Sequence, residues 1–156
     1  MTDVELMKLA IAEARKGMAD GQTPFGACVA RDGEPVACAH NRVWRDMDIT
    51  AHAEIVAIRS ACRSLKAVDL RGCVIYSTTE PCPMCFSACH WAKISRIVFG
   101  SRIEDAQRAG FGELTISNEQ MRRSGASPVR IEGDFLRDEA LRLFEAWGRD
   151  PGRRIY

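Results

Sequence analysis

The chain has no apolar run long enough to cross a bilayer, so no membrane-spanning helix and no membrane partner are expected. Its first residues lack the basic-then-apolar pattern of a secretory leader. A charge bias is missing too. Its 22 Lys and Arg stand against 21 Asp and Glu, a net charge of +1, whereas a nucleic-acid binder usually carries a strongly basic face. No repeat, low-complexity tract or linker divides the sequence, so residues 1–156 read as one domain. The seven cysteines are an odd number, and two are assigned below to a metal. That argues against a disulfide framework and for a reducing cytoplasm. Cys28, Cys38, Cys62, Cys73 and Cys89 fall in apolar contexts and read as small core residues.

What is present suits one globular domain: 156 residues, 46% hydrophobic and 28% charged. Its organising stretch is Thr79-Glu80-Pro81-Cys82-Pro83-Met84-Cys85, read with Thr50-Ala51-His52-Ala53-Glu54 upstream. Two cysteines three apart after a proline would share one face of a helix's first turn. The partial positive charge there favours thiolate, the metal-binding form. With His52 they supply two sulfurs and one nitrogen, leaving a fourth zinc position for water. Glu54 lies about 200° around an ideal helix from His52, free to carry protons rather than bind metal. A lone C-x-x-C would also fit a redox pair or half of a structural zinc site. His-x-Glu at this distance favours a catalytic metal.

Val4, Met7, Ile11, Ala14 and Met18 predict an amphipathic helix over 3–19. Phe25–Ala30 and Pro35–Asn41 read as strands joined at Asp32-Gly33. Residues 42–49 read as a polar loop and Thr50 as the next helix's N-cap. A strand at Val74–Ser77, a cysteine helix at about 82–91 and a strand at Ile97–Gly100 follow. Beyond them come a helix at Ile103–Ala109, a loop at Phe111–Leu114, a strand at Val129–Glu132 and a helix from Leu136 to Trp147. Parallel strands with crossover helices bring both metal-bearing helices to one sheet edge.

His-Ala-Glu with Pro-Cys-Pro-Met-Cys matches the signature of zinc deaminases, and the chain resembles the cytidine deaminase superfamily. That resemblance implies a three-layer α/β/α fold around a five-stranded mixed sheet, one Zn²⁺ per chain on His52, Cys82 and Cys85, and Glu54 as proton shuttle. It extends to the small bacterial guanine deaminases. Pro24-Phe25-Gly26-Ala27, Asn41, His90-Trp91-Ala92, and Ala109-Gly110-Phe111 with Glu113 are similar to that branch's substrate segments. Phe25 and Trp91 would then flank a base, and Asn41 and Glu113 would read its edges. Tyr156, at the end of the tail 148–156, would close the pocket. The branch also implies a homodimer with exchanged tails, supported by a tail unlikely to fold back unaided. Glu113 replaces an aspartate found in some members, and His90 stands where tyrosine is common. His40 and His90 read as surface or structural histidines.

The expected reaction is deamination of guanine to xanthine. Guanosine or another amino-heterocycle and a tRNA adenosine are alternative substrates, and a zinc-stabilised interaction module is the non-enzymatic alternative.

Overall fold

The computed structural model describes residues 1–156. Helix α1 (Asp3–Ala19) begins at a capping box: the Thr2 hydroxyl accepts from the Glu5 N–H, and the Glu5 carboxylate accepts from the Thr2 N–H. The Asp32-Gly33 turn joins β1 (Gly26–Arg31) to β2 (Glu34–His40). Then follow α2 (Val43–Asp46), α3 (Ala53–Leu65), β3 (Cys73–Thr79), α4 (Pro83–Trp91) and β4 (Arg96–Ser101). Helices α5 (Ile103–Arg108) and α6 (Asn118–Ser124), strand β5 (Arg130–Glu132) and helix α7 (Arg137–Gly148) complete the chain.

The five strands form one sheet in the order β2-β1-β3-β4-β5. Strand β1 runs antiparallel to both neighbours, and β3, β4 and β5 are parallel, so the sheet is mixed. Alternation along β3 and β4 gives each face its own core. Ile75, Ile97 and Phe99 meet Val56 and Ala57 of α3 and Phe86 of α4. Tyr76 and Val98 meet Leu6 and Met7 of α1 and Leu143 of α7. Three layers result, with α3 and α4 on one face and α1 and α7 on the other. Gly26 lets α1 lie directly on β1, since a Cβ there would stand 2.1 Å from the Ala10 carbonyl oxygen. No helix is long and apolar enough to cross a membrane.

Four local expectations are corrected. The polar stretch after Asn41 contains the one-turn helix α2. The N-cap of α3 is His52 rather than Thr50, whose hydroxyl instead donates to Asp48. Helix α6 was not anticipated, because Met121 is its only large apolar side chain and no buried stripe marks it. Cys28 and Cys38 are not separate core residues: the hairpin register places them directly opposite at Cα–Cα 4.0 Å, joined as a disulfide.

Candidate active site

Strands β2 and β3 run parallel, because β1 is antiparallel to both, so α3 and α4 start at the same end of the sheet. His52 is the N-cap of α3 and Cys82 the N-cap of α4, each with extended backbone dihedrals. Pro83 opens α4 where its missing N–H costs no helical bond, and Cys85 follows in the first turn. His52 lies outside the helical turn, so an ideal-helix angle to Glu54 does not apply. The N-cap bend separates the two side chains instead.

The ligand atoms of His52, Cys82 and Cys85 lie within 4.8 Å of one another, positioned to coordinate a single metal ion. Both sulfurs stand 3.6 Å from His52 Nδ1. Zinc bonds of about 2.3 Å to sulfur and 2.0–2.1 Å to nitrogen at tetrahedral angles require a separation of about 3.6 Å. The donors therefore fit one Zn²⁺ through Nδ1. Their protonation fits as well. A hydrogen bond from the Cys85 thiol, aided by His52, brings Cys82 down to about 4 against the opposing effect of burial. Burial pushes the Cys85 thiol up. Burial opposes protonation of His52, but hydrogen bonding to Cys82 and the Glu54 charge outweigh it and raise its pKa. A dication would displace these protons and hold both cysteines as thiolates.

Glu54, in the first turn of α3, is 7% exposed. Burial raises its pKa, and the negative Cys82 raises it further. Ser77 Oγ lies 3.1 Å from Glu54 Oε1 and 2.7 Å from the Thr79 carbonyl oxygen. A hydroxyl has one proton. When Ser77 donates to Thr79, its oxygen can accept from protonated Glu54.

Phe25, Asn41, Glu54, Glu80, Glu113 and Tyr156 line an inner cavity of about 20 Å³ beside His52 and Cys82. That space holds about one water. An outer cavity of about 320 Å³ opens onto it, bounded by Ile49, Met84, Phe111, Leu114 and again Glu113 and Tyr156. Asn41 is fully buried: its Oδ1 accepts from the Val43 N–H at 3.0 Å, and its Nδ2 donates to the Tyr156 hydroxyl at 2.6 Å. Nδ2 carries a second N–H, which is left for a base. Burial, with the charges of Cys82 and Glu54, lifts Glu113 to about 7.

Two expectations about the pocket need correction. Trp91 is 81% exposed and borders a different cavity, among Arg71, Lys93 and Arg130. It ends α4, and helical steps of about 1.5 Å from Pro83 onward carry it away from Cys82. The tail does fold back unaided: Tyr156 reaches its own chain's site, 5.7 Å from the His52 ring between centroids. Arg154 lies 4.6 Å from the Trp44 ring centroid and secures the approach. Phe111 has the wall position expected of Trp91, 4.9 Å from Phe25 and 5.8 Å from Tyr156 between centroids. The Ala-Gly-Phe segment signalled it, but that residue had no assigned role. Ser77 was also missed. Its only signal is a polar Ser-Thr-Thr ending to an otherwise apolar strand. His40 and His90 stay structural, contacting the Asn41 carbonyl and Ser127.

Residues 1–101 match the family model for the cytidine and deoxycytidylate deaminase zinc-binding region. The chain belongs to this family. A guanine deaminase from Bacillus subtilis (strain 168) is 34% identical over 157 residues, covering 100% of both chains. A tRNA-specific adenosine deaminase from Aquifex aeolicus (strain VF5) is 41% identical over 95 residues, 61% of this chain and 63% of that one. A solved structure of guanine deaminase from Nitrosomonas europaea superposes with a TM-score of 0.85 at 28% identity, over 96% of this chain and 86% of that chain. With the metal triad, these findings make the protein a zinc-dependent hydrolytic deaminase.

Proposed function

We propose that the deaminase converts guanine and water to xanthine and ammonia. The observation that carries this reading is the convergence of Asn41, Glu54 and Glu113 on one cavity beside the metal triad. Guanine's N1–H and 2-amino edge is rich in donors, which suits a carboxylate at Glu113. Phe25 and Phe111 offer aromatic faces to a planar ring.

Zinc, when bound, supplies a water acidified to near neutrality. Glu54 then has two tasks, holding a proton for the ring nitrogen beside the reacting carbon and passing one to the departing amino group. Its burial next to Ser77 keeps it in place for both. Tyr156 covers the mouth and excludes bulk water. We read residues 148–156 as this domain's closing tail. A reducing cytoplasm would suit two thiolate ligands, but the Cys28–Cys38 disulfide weighs against it.

We also propose a homodimer. With the tail folded in cis, support comes from the resemblance alone. Sedimentation showing a fully active monomer at micromolar concentration would reject it.

The tRNA reading draws on the higher identity of the shorter alignment. Against it stand the net charge of +1 and the tail over the pocket. An ammonia-release panel of free bases, nucleosides and tRNA decides. Guanine is expected to lead, and release from guanosine or tRNA without guanine would overturn the proposal.

A further inference from the structure

Glu80 is an acid that forms no salt bridge. It is 5% exposed and lines the inner cavity. Both its oxygens are engaged by backbone. Oε1 accepts from the Asn118 N–H at 2.8 Å, and Oε2 from the Ile103 N–H at 3.3 Å. Ile103 and Asn118 are the first residues of α5 and α6, where helical N–H groups lack intrahelical partners. One carboxylate therefore caps two helices. Between them runs the chain that carries Phe111 and Glu113.

The other side of Glu80 is tied to the metal ligands. Its N–H donates to the Ser101 carbonyl at 2.7 Å, and it sits two residues before Cys82. Asn118, fully buried, donates from Nδ2 to the Pro81 carbonyl at 2.6 Å. The Thr79 and Ser101 hydroxyls are 2.9 Å apart across the same strand ends. The turn bearing Cys82 and the loop bearing Glu113 thus share one set of buried hydrogen bonds.

We propose that Glu80 is a positioning residue that fixes the distance between the metal-ligand turn and the substrate-reading loop. Its role is structural: each oxygen accepts a backbone N–H from the start of one helix. Residues 112–117 have no helix or strand of their own, so the two ends pinned by Glu80 set where Glu113 stands. This inference rests on the reading of Glu113 as the residue that meets the base.

The test uses zinc-loaded wild type, Glu80→Gln and Asn118→Ala. In Glu80→Gln the amide still accepts one N–H but turns a donor toward the other. Zinc content and the thermal midpoint should stay near wild type, while kcat/KM on the best base falls about 10- to 100-fold, mainly through KM. Amide exchange across residues 112–117 should accelerate. Asn118→Ala keeps the carboxylate and removes only the tether to Pro81, and it should show the same pattern more weakly. If Glu80→Gln does not fold, this variant carries the test.

In Glu80→Gln/Glu113→Gln, the two losses should be less than additive, because Glu80 acts through the loop of Glu113. A lower thermal midpoint with unchanged KM and unchanged exchange at 112–117 would overturn the proposal, as would full additivity. Failure of the guanine reading shows separately, as wild-type ammonia release from a different base. The exchange measurement holds whichever base is used.

Discussion

Two groups of carboxylates, one at each end of the sheet, are treated in opposite ways. At the end where β4 begins, Asp3 accepts from Arg96 at 2.8 Å and from the Tyr76 hydroxyl at 2.6 Å, and Arg96 also reaches Glu132 at 3.0 Å. Hydrogen bonding by Arg96, then by Tyr76, holds the Asp3 carboxyl below its ordinary range. At the end where β3 and β4 finish, Glu54 and Glu113 have no guanidinium or ammonium partner. Burial raises both. A charge met within the fold contributes to holding it together. A charge left unmet in a cleft is available for a metal, a proton or a substrate, and perturbed acids gather at such places.

The comparison breaks most completely when the cation that the site is built for is denied. Cys85→Ala removes one of three ligands and should abolish metal binding and activity together. Elemental analysis and ammonia release check this, and full zinc occupancy in the variant would refute the ligand assignment.

Glu54→Gln comes next. It keeps the shape and the bond to Ser77 but cannot carry a proton at neutral pH. We expect zinc content and thermal midpoint to hold while kcat falls about 10²–10⁴-fold. Retention of more than a tenth of the wild-type rate would remove Glu54 from the proton path.

These residues were legible in the sequence for a physical reason. Metal ligands are restricted to a few residue types, and helix N-termini fix their spacing, so His52, Cys82 and Cys85 could be read directly, with Glu54 as the proposed proton carrier. Helix α1 was equally plain, because one apolar stripe runs its length. Glu80 gave no such signal, since its partners are backbone N–H groups that any residue at 103 and 118 could supply. Trp91 misled because the residue type suits a pocket wall while its place at the helix end does not. The Cys28–Cys38 pairing depends on a hairpin register that shifts between Val29 and Ala30, which residue counting does not reveal. Parts of the site set by local chemistry could be read, and parts set by long-range backbone contacts could not.

A smaller effect is expected at the tail. Tyr156→Ala gives up the hydroxyl bond to Asn41 and opens the cavity to water, so kcat for free bases should fall roughly three- to tenfold. Steady-state kinetics on the best base measure it. A rise in kcat/KM would mean that the phenol competes for the base's place rather than covering it.

The smallest effect lies at the structural end and depends on pH. Asp3 is depressed in the folded state from its ordinary 3.8, so the folded protein binds its proton less readily than the unfolded chain. Its contribution to stability is therefore complete above that value and is lost as the pH falls through the lower folded value. The side chain is 38% exposed, so solvent screens the pair, and Asp3→Asn should cost at most about 1 kcal/mol at neutral pH. Denaturant titrations of both proteins, at neutral pH and again well below pH 3.8, should show the gap in the first and its disappearance in the second. A gap that persists in acid would mean that Asp3 stabilises the fold by packing or neutral hydrogen bonding, and that the contrast between the two ends is not one of charge.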